Sequence, residues 1–217
     1  MNFIPAKESK FILWFFDWYT RFLVWRRFRS VYIMQEYFPN KDSKTVYFLN
    51  HNYWWDGLLP LYLNRKLFKQ KARALMEDKQ MRQYPFFSRI GAFSINLDNA
   101  KSSIKSLRYA VESIKRENAC LFIYPEGRLI PVSNSKPEFK EGLSWLYKNM
   151  EGVDFVPIAF YIDYSKSNKP DLFISIGESV KPDKSLTKNE LTHKFEESIQ
   201  SLMIGIKSTL YNAANNQ

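Results

Sequence analysis

Six short apolar runs leave this chain few folds to choose from. They are "TVYFLN" (Thr45–Asn50), "ARALM" (Ala72–Met76), "AFSIN" (Ala92–Asn96), "ACLFIY" (Ala119–Tyr124), "DFVPIAFYI" (Asp154–Ile162) and "DLFISIG" (Asp171–Gly177). Their length and their β-branched and aromatic content suit buried strands. Helical periodicity fills the intervals at Gly57–Phe68, Glu77–Gly91 (interrupted at Pro85), Asn99–Asn118 and Phe139–Asn149. A polar turn at Ser165–Pro170 joins the last two runs, and a helix capped by Thr187 and Glu190 follows them to about Tyr211. Alternation through the middle with one direct turn at the end predicts an α/β fold: a mixed, mainly parallel sheet flanked by helices.

The first forty residues read differently. Ser9–Arg29 has helical period, and its stretch "FILWFFDWYTRFLVW" is 15 residues long and carries Asp17 and Arg21. A span needs ~20 mostly apolar residues, so this segment is expected to lie in a membrane interface, with "RRFR" (Arg26–Arg29) at its end. Packing on the protein's own core is the competing reading. The division expected is therefore 1–40 as an interface-helix region and 41–217 as one globular domain. Charge points the same way. The formal net charge is +10, with six Lys/Arg against two acids in Met1–Ser30 and seven against two in Leu61–Arg82. Such patches suit an anionic partner. No RNA-binding or helix-turn-helix signature accompanies them, so nucleic acid is not expected. The expected location is peripheral, on the cytoplasmic face of a membrane.

Several chemistries lack their residues. Two histidines far apart, His51 and His193, and the single Cys120 make a transition-metal site unexpected. Cys120 lies in an apolar run that disfavours its thiolate. There is no glycine-rich nucleotide loop and no G-x-S-x-G elbow. What remains is "LNHNYWWD", Leu49–Asp56. It follows a strand, where open α/β sheets build sites. His51 suits a general base whose nucleophile is a substrate hydroxyl, and Asp56 suits the group that orients its ring. Asp56 also fits an N-cap for the segment after it. Trp54 and Trp55 suit core packing. In "FIYPEGR", Glu126 and Arg128 would face an anionic, hydroxyl-bearing acceptor, with Gly127 letting backbone come close. Lys140 of "FKEG" falls near the same end of the sheet. Pro157 of "VPI" suggests an edge, a bulge or a pocket wall.

These fragments, in this order, resemble the glycerolipid acyltransferase superfamily, the lysophospholipid or 1-acylglycerol-3-phosphate acyltransferases. Its first block is N-H-x4-D, here Asn50, His51 and Asp56; its third is P-E-G with Arg, here Pro125, Glu126, Gly127 and Arg128. Its fourth is V-P-hydrophobic, here Val156, Pro157 and Ile158. The resemblance implies an O-acyltransferase in which His51 and Asp56 form a dyad without an acyl-enzyme. It implies acceptor binding by the P-E-G-R loop and Lys140, and an acyl chain guided past Trp54, Trp55, Val156 and Pro157. The donor implied is acyl-CoA or acyl-carrier protein, the site one of membrane lipid, and no metal or redox cofactor is needed. Two departures bear on the acceptor. The second-block run "GAFSINLDNA" holds no basic residue before Lys101, and the Thr of P-E-G-T-R is absent. A sugar hydroxyl on a glycolipid or carotenoid is therefore the alternative to a lysophospholipid. A lipid-binding module without activity is the alternative to an enzyme.

Overall fold

The computed structural model describes residues 3–131 and 136–215. Helix α1 (Lys10–Arg27) leads into the edge strand β1 (Val31–Gln35). The core strands are β2 (Thr45–Leu49), β3 (Lys71–Glu77), β4 (Ala92–Ile95), β5 (Ala119–Ile123), β6 (Asp154–Asp163) and β7 (Asp171–Ile176). Between them run α2 (Leu59–Leu63), α3 (Asp78–Gln83), α4 (Phe86–Arg89), α5 (Ala100–Ile114) and α6 (Gly142–Asn149), and α7 (Lys188–Asn215) closes the fold. The seven strands form one sheet in the order β1-β7-β6-β2-β5-β3-β4. Every neighbouring pair is parallel except β6 with β7, which the polar turn joins directly.

Strand β2 sits at the centre and is buried along its length. Val46 and Phe48 face one apolar cluster with Leu107, Leu146 and Phe195, contributed by α5, α6 and α7. Tyr47 and Leu49 face a second with Val24, Leu59 and Leu63, contributed by α1 and α2. Covering both faces of a sheet requires strands that are apolar throughout rather than alternating, which is why these runs stand out in the sequence. The predicted capping box forms: Thr187 N donates to Glu190 Oε2 at 2.8 Å and Glu190 N to Thr187 Oγ1 at 3.3 Å.

The structure differs from the sequence reading in three places. Val31–Gln35, for which no strand is expected, pairs in parallel with β7, so part of the 1–40 region belongs to the sheet. Its residues are half-buried without a clean alternation, and no turn signal separates it from α1. The helix expected over Gly57–Phe68 is broken into a 3₁₀ turn (Trp54–Gly57), the short α2 and a π turn (Asn64–Phe68). The π turn closes on Lys69 in the left-handed region, where Asn64 bonds both backbone groups of Gln70. Pro157 lies on an interior strand. Its carbonyl accepts from Gly177 N just past the end of β7, so the donor it lacks faces that strand's end, where only the terminal return bond of the ladder is missing.

Helix α1 buries Asp17, Thr20 and Val24. Its opposite face exposes Phe11, Trp14, Trp18, Phe22 and Trp25, a stripe at helical spacing. Among the described residues, no helix is long and apolar enough to cross a membrane.

Candidate active site

Strands β2 and β5 are parallel neighbours, so the loops leaving their C-terminal ends meet. His51 comes two residues after β2 and Tyr124–Gly127 directly after β5. Asn50 fixes the first loop: its side chain accepts from Phe160 N at 2.8 Å and donates to Phe160 O at 2.9 Å, extending the sheet by one residue. Ile130 holds the same loop from the other side. Its N–H donates to His51 O at 2.8 Å, and its carbonyl accepts from Asn52 Nδ2 at 2.7 Å.

The 3₁₀ turn after this loop swings Asp56 back onto His51. Asp56 Oδ2 lies 3.0 Å from His51 Nδ1 and also accepts from Asn52 N at 2.8 Å and Tyr53 N at 3.0 Å. Asp56 thus caps the turn and holds the ring with a single oxygen. Its carboxyl is fully buried, and Oδ1 has no hydrogen-bond partner among the described residues. Burial pushes its pKa up, against the lowering effect of the His51 contact and the two amides. An ionised carboxylate at this distance requires the proton on Nδ1, which leaves the lone pair on Nε2. The Tyr124 ring packs on the imidazole, centroids 4.6 Å apart, and its hydroxyl donates to the Asp56 carbonyl.

Glu126 does not face an open acceptor site. It is 4% exposed, and its Oε2 accepts from His51 N at 2.7 Å. Burial raises its pKa to about 7, with the His51 amide bond opposing. It is a backbone clamp on the loop that carries the histidine. The other predicted acceptor residues converge on a cavity of about 130 Å³ that His51 and Asp56 also line. Pro125, Gly127, Arg128 and Lys140 form its polar side. Gly127 has φ +68, and a Cβ there would come within 3.2 Å of Lys140 Cε and Leu97 Cδ1. The absent side chain therefore lets Lys140 lie across the loop. Arg128 is 72% exposed on its side chain and meets Glu138 at 3.6 Å. From this polar side the cavity runs over the ends of β3 and β4, between Ala74, Met76, Phe87 and Ala92.

Trp54, Trp55, Val156 and Pro157 lie elsewhere. Trp54 is 69% exposed, Trp55 packs edge-on against Phe28, and Val156 and Pro157 are buried within the sheet. The apolar wall is supplied by β3, β4 and α4 instead. Sequence reasoning missed Tyr124, although it stands beside the P-E-G block. His193 is on the surface beside Glu196 and Glu197, and Cys120 is buried, which raises its thiol pKa. Among the described residues no cluster of three or more His, Cys, Asp or Glu is placed to hold a metal ion.

A sheet that delivers a carboxylate-oriented histidine beside a partly apolar cavity, with Arg128 and Lys140 on its lining, has the parts for acyl transfer to a hydroxyl. Comparison with known proteins agrees. No curated protein matches the chain. The fold is similar to the crystal structure of the 1-acyl-sn-glycerophosphate (LPA) acyltransferase PlsC from Thermotoga maritima, with a TM-score of 0.67. At 19% identity over 91% of this chain and 80% of that one, the likeness is one of fold. The family model Acyltransferase matches residues 29–161, more than half of the chain and the whole span from Asn50 to Ile158. The chain belongs to the acyltransferase family.

Proposed function

We propose that this acyltransferase moves a fatty acyl group from acyl-CoA or acyl-carrier protein to a hydroxyl of a lysophospholipid at a membrane surface. The observation that carries this reading is the His51–Asp56 contact at 3.0 Å beside the cavity. His51 Nε2, which has no partner among the described residues, takes the acceptor's hydroxyl proton as the oxygen attacks the thioester carbonyl. The tetrahedral oxyanion collapses, expelling the thiolate, which takes the proton from His51. Asp56 holds the tautomer and offsets the charge on the imidazolium between these steps. No acyl-enzyme is needed, and neither a metal nor a redox cofactor enters the reaction.

Arg128 and Lys140 suit an acceptor's phosphate, because neither is neutralised by a buried acid. The apolar end of the cavity suits the acyl chain. The aromatic stripe of α1 would rest in the interface of the cytoplasmic leaflet, holding the enzyme peripherally where its acceptor lies. The missing second-block arginine favours a second acceptor class, a glycolipid or carotenoid sugar hydroxyl.

The test is transfer of labelled acyl groups into a total membrane lipid extract, with acyl-CoA and with acyl-carrier protein, by wild type and His51→Ala. Label that appears with wild type and is absent with the variant supports the reading, and the labelled product identifies the acceptor. Equal labelling by the two proteins would remove His51 from the mechanism.

A further inference from the structure

An open groove of about 980 Å³ lies outside the catalytic cavity, between α1, the start of β1 and the π turn. Its apolar side is Trp18, Phe22 and Trp25, which are also members of the exposed stripe of α1. Its polar side carries five cations: Arg21, Arg29, Arg65, Lys66 and Lys169. Two are neutralised. Arg29 is paired with Asp171, and Arg65 meets Asp17 at 3.2 Å.

The other three have no ion pair among the described residues, and two are held in place by neutral contacts. Lys169 Nζ donates to Trp25 O at 2.9 Å and sits 5.9 Å from the Trp25 ring centroid. Lys66 Nζ donates to Tyr62 Oη at 3.1 Å and sits 5.4 Å from that ring. Arg21 extends from the same helix as the indoles. An ammonium held by a carbonyl and an aromatic face keeps its full charge and spare donors. Three cations without an ion pair facing one space, next to rings continuous with the exposed stripe, select an occupant that is anionic at one end and apolar at the other.

We infer that this groove binds the phosphate headgroup of an anionic phospholipid in the membrane on which α1 rests, at a site separate from the catalytic cavity. Arg21, Lys66 and Lys169 take the phosphate, and Trp18, Phe22 and Trp25 flank the upper acyl chains. The inference rests on the membrane-surface reading of α1 but not on the acyl-transfer mechanism.

The experiment uses the His51→Ala chain, so that turnover cannot contribute. Its binding is measured to vesicles of phosphatidylcholine alone and with added phosphatidylglycerol, to monomeric short-chain phosphatidylglycerol and to inorganic phosphate. The groove variant is Arg21→Ala/Lys66→Ala/Lys169→Ala. The control, Lys41→Ala/Lys115→Ala/Lys188→Ala, removes the same charge from residues that do not line the groove. The expected result is saturable binding of the monomeric lipid and preference for the anionic vesicles. The groove variant should lose on the order of a hundredfold in affinity and the control much less. Inorganic phosphate, lacking the apolar part, should bind more weakly than the monomeric lipid. Equal losses in the two variants would overturn the site in favour of diffuse attraction. Equal binding to both vesicle types would overturn the anionic headgroup while leaving membrane attachment intact. Binding to neither would defeat the membrane reading itself.

Discussion

Asp56 does two jobs with one oxygen. It caps the 3₁₀ turn through Asn52 N and Tyr53 N and orients His51 through Nδ1. Asp56→Asn can keep the two backbone bonds, so its stability cost should be about 1 kcal/mol. It removes the charge that supports the imidazolium, and turnover should fall roughly 10³–10⁴-fold, read from acyl transfer beside a thermal melt. Glu126 gives a separate pH signature. Its pKa is raised from 4.5 to about 7 by burial. The folded state therefore keeps a proton that the unfolded state has released, and this contribution to stability is lost as pH rises from about 4.5 to about 7. Relative to Glu126→Gln, wild type should lose on the order of 2 kcal/mol between pH 5 and pH 8 in denaturant titrations. The residues that sequence places well are those whose chemistry is scarce: one of two histidines, a carboxylate at x4 spacing, a glycine beside a carboxylate. The inward turn of Glu126 is not legible, because only the folded loops bring the His51 amide to its carboxylate.

At the scale of elements, the short apolar runs reveal the core strands because burial on both faces leaves few polar positions in them. Edge strand β1 is half-buried and follows α1 with no turn signal between them, and the π turn depends on the Asn64 side chain reaching Gln70, which periodicity does not encode. The cavity wall is hard to read for a similar reason. Trp54 and Trp55 are near His51 in sequence, but the 3₁₀ turn points them away, while β3 and β4 bring small side chains to the cavity. Ala74 and Ala92 are register partners there. Ala92→Leu should shorten the preferred acyl chain by about two carbons, a roughly tenfold loss for the longer chain at ~0.8 kcal/mol per methylene. Competition between donors of different length measures this, with unchanged preference as the contrary result. In the turn after β5, Gly127→Ala strains a positive φ and pushes on Lys140. It should cost about 1–2 kcal/mol in a thermal melt and raise the KM for a phosphorylated acceptor more than it lowers kcat.

At the scale of the whole molecule, the proposed membrane attachment would draw on the area of the exposed aromatic stripe of α1. Phe11→Ser/Trp14→Ser removes two exposed rings that lie outside the basic groove, so vesicle binding should fall at least tenfold whatever the lipid charge. The same helix is tied to the sheet through β1, whose partner residues 172–176 come about 140 residues later in the chain. During synthesis at ~5–20 residues per second, α1 and β1 leave the ribosome roughly 7–30 seconds before β7 exists to receive them. For that interval the nascent chain carries an unpaired strand behind an aromatic helix, so cell-free translation without a bilayer should yield more aggregate than translation with vesicles present. If the stripe anchors the finished enzyme as proposed, the same surface would serve the unfinished one as shelter, and the chain would complete its fold already on the membrane.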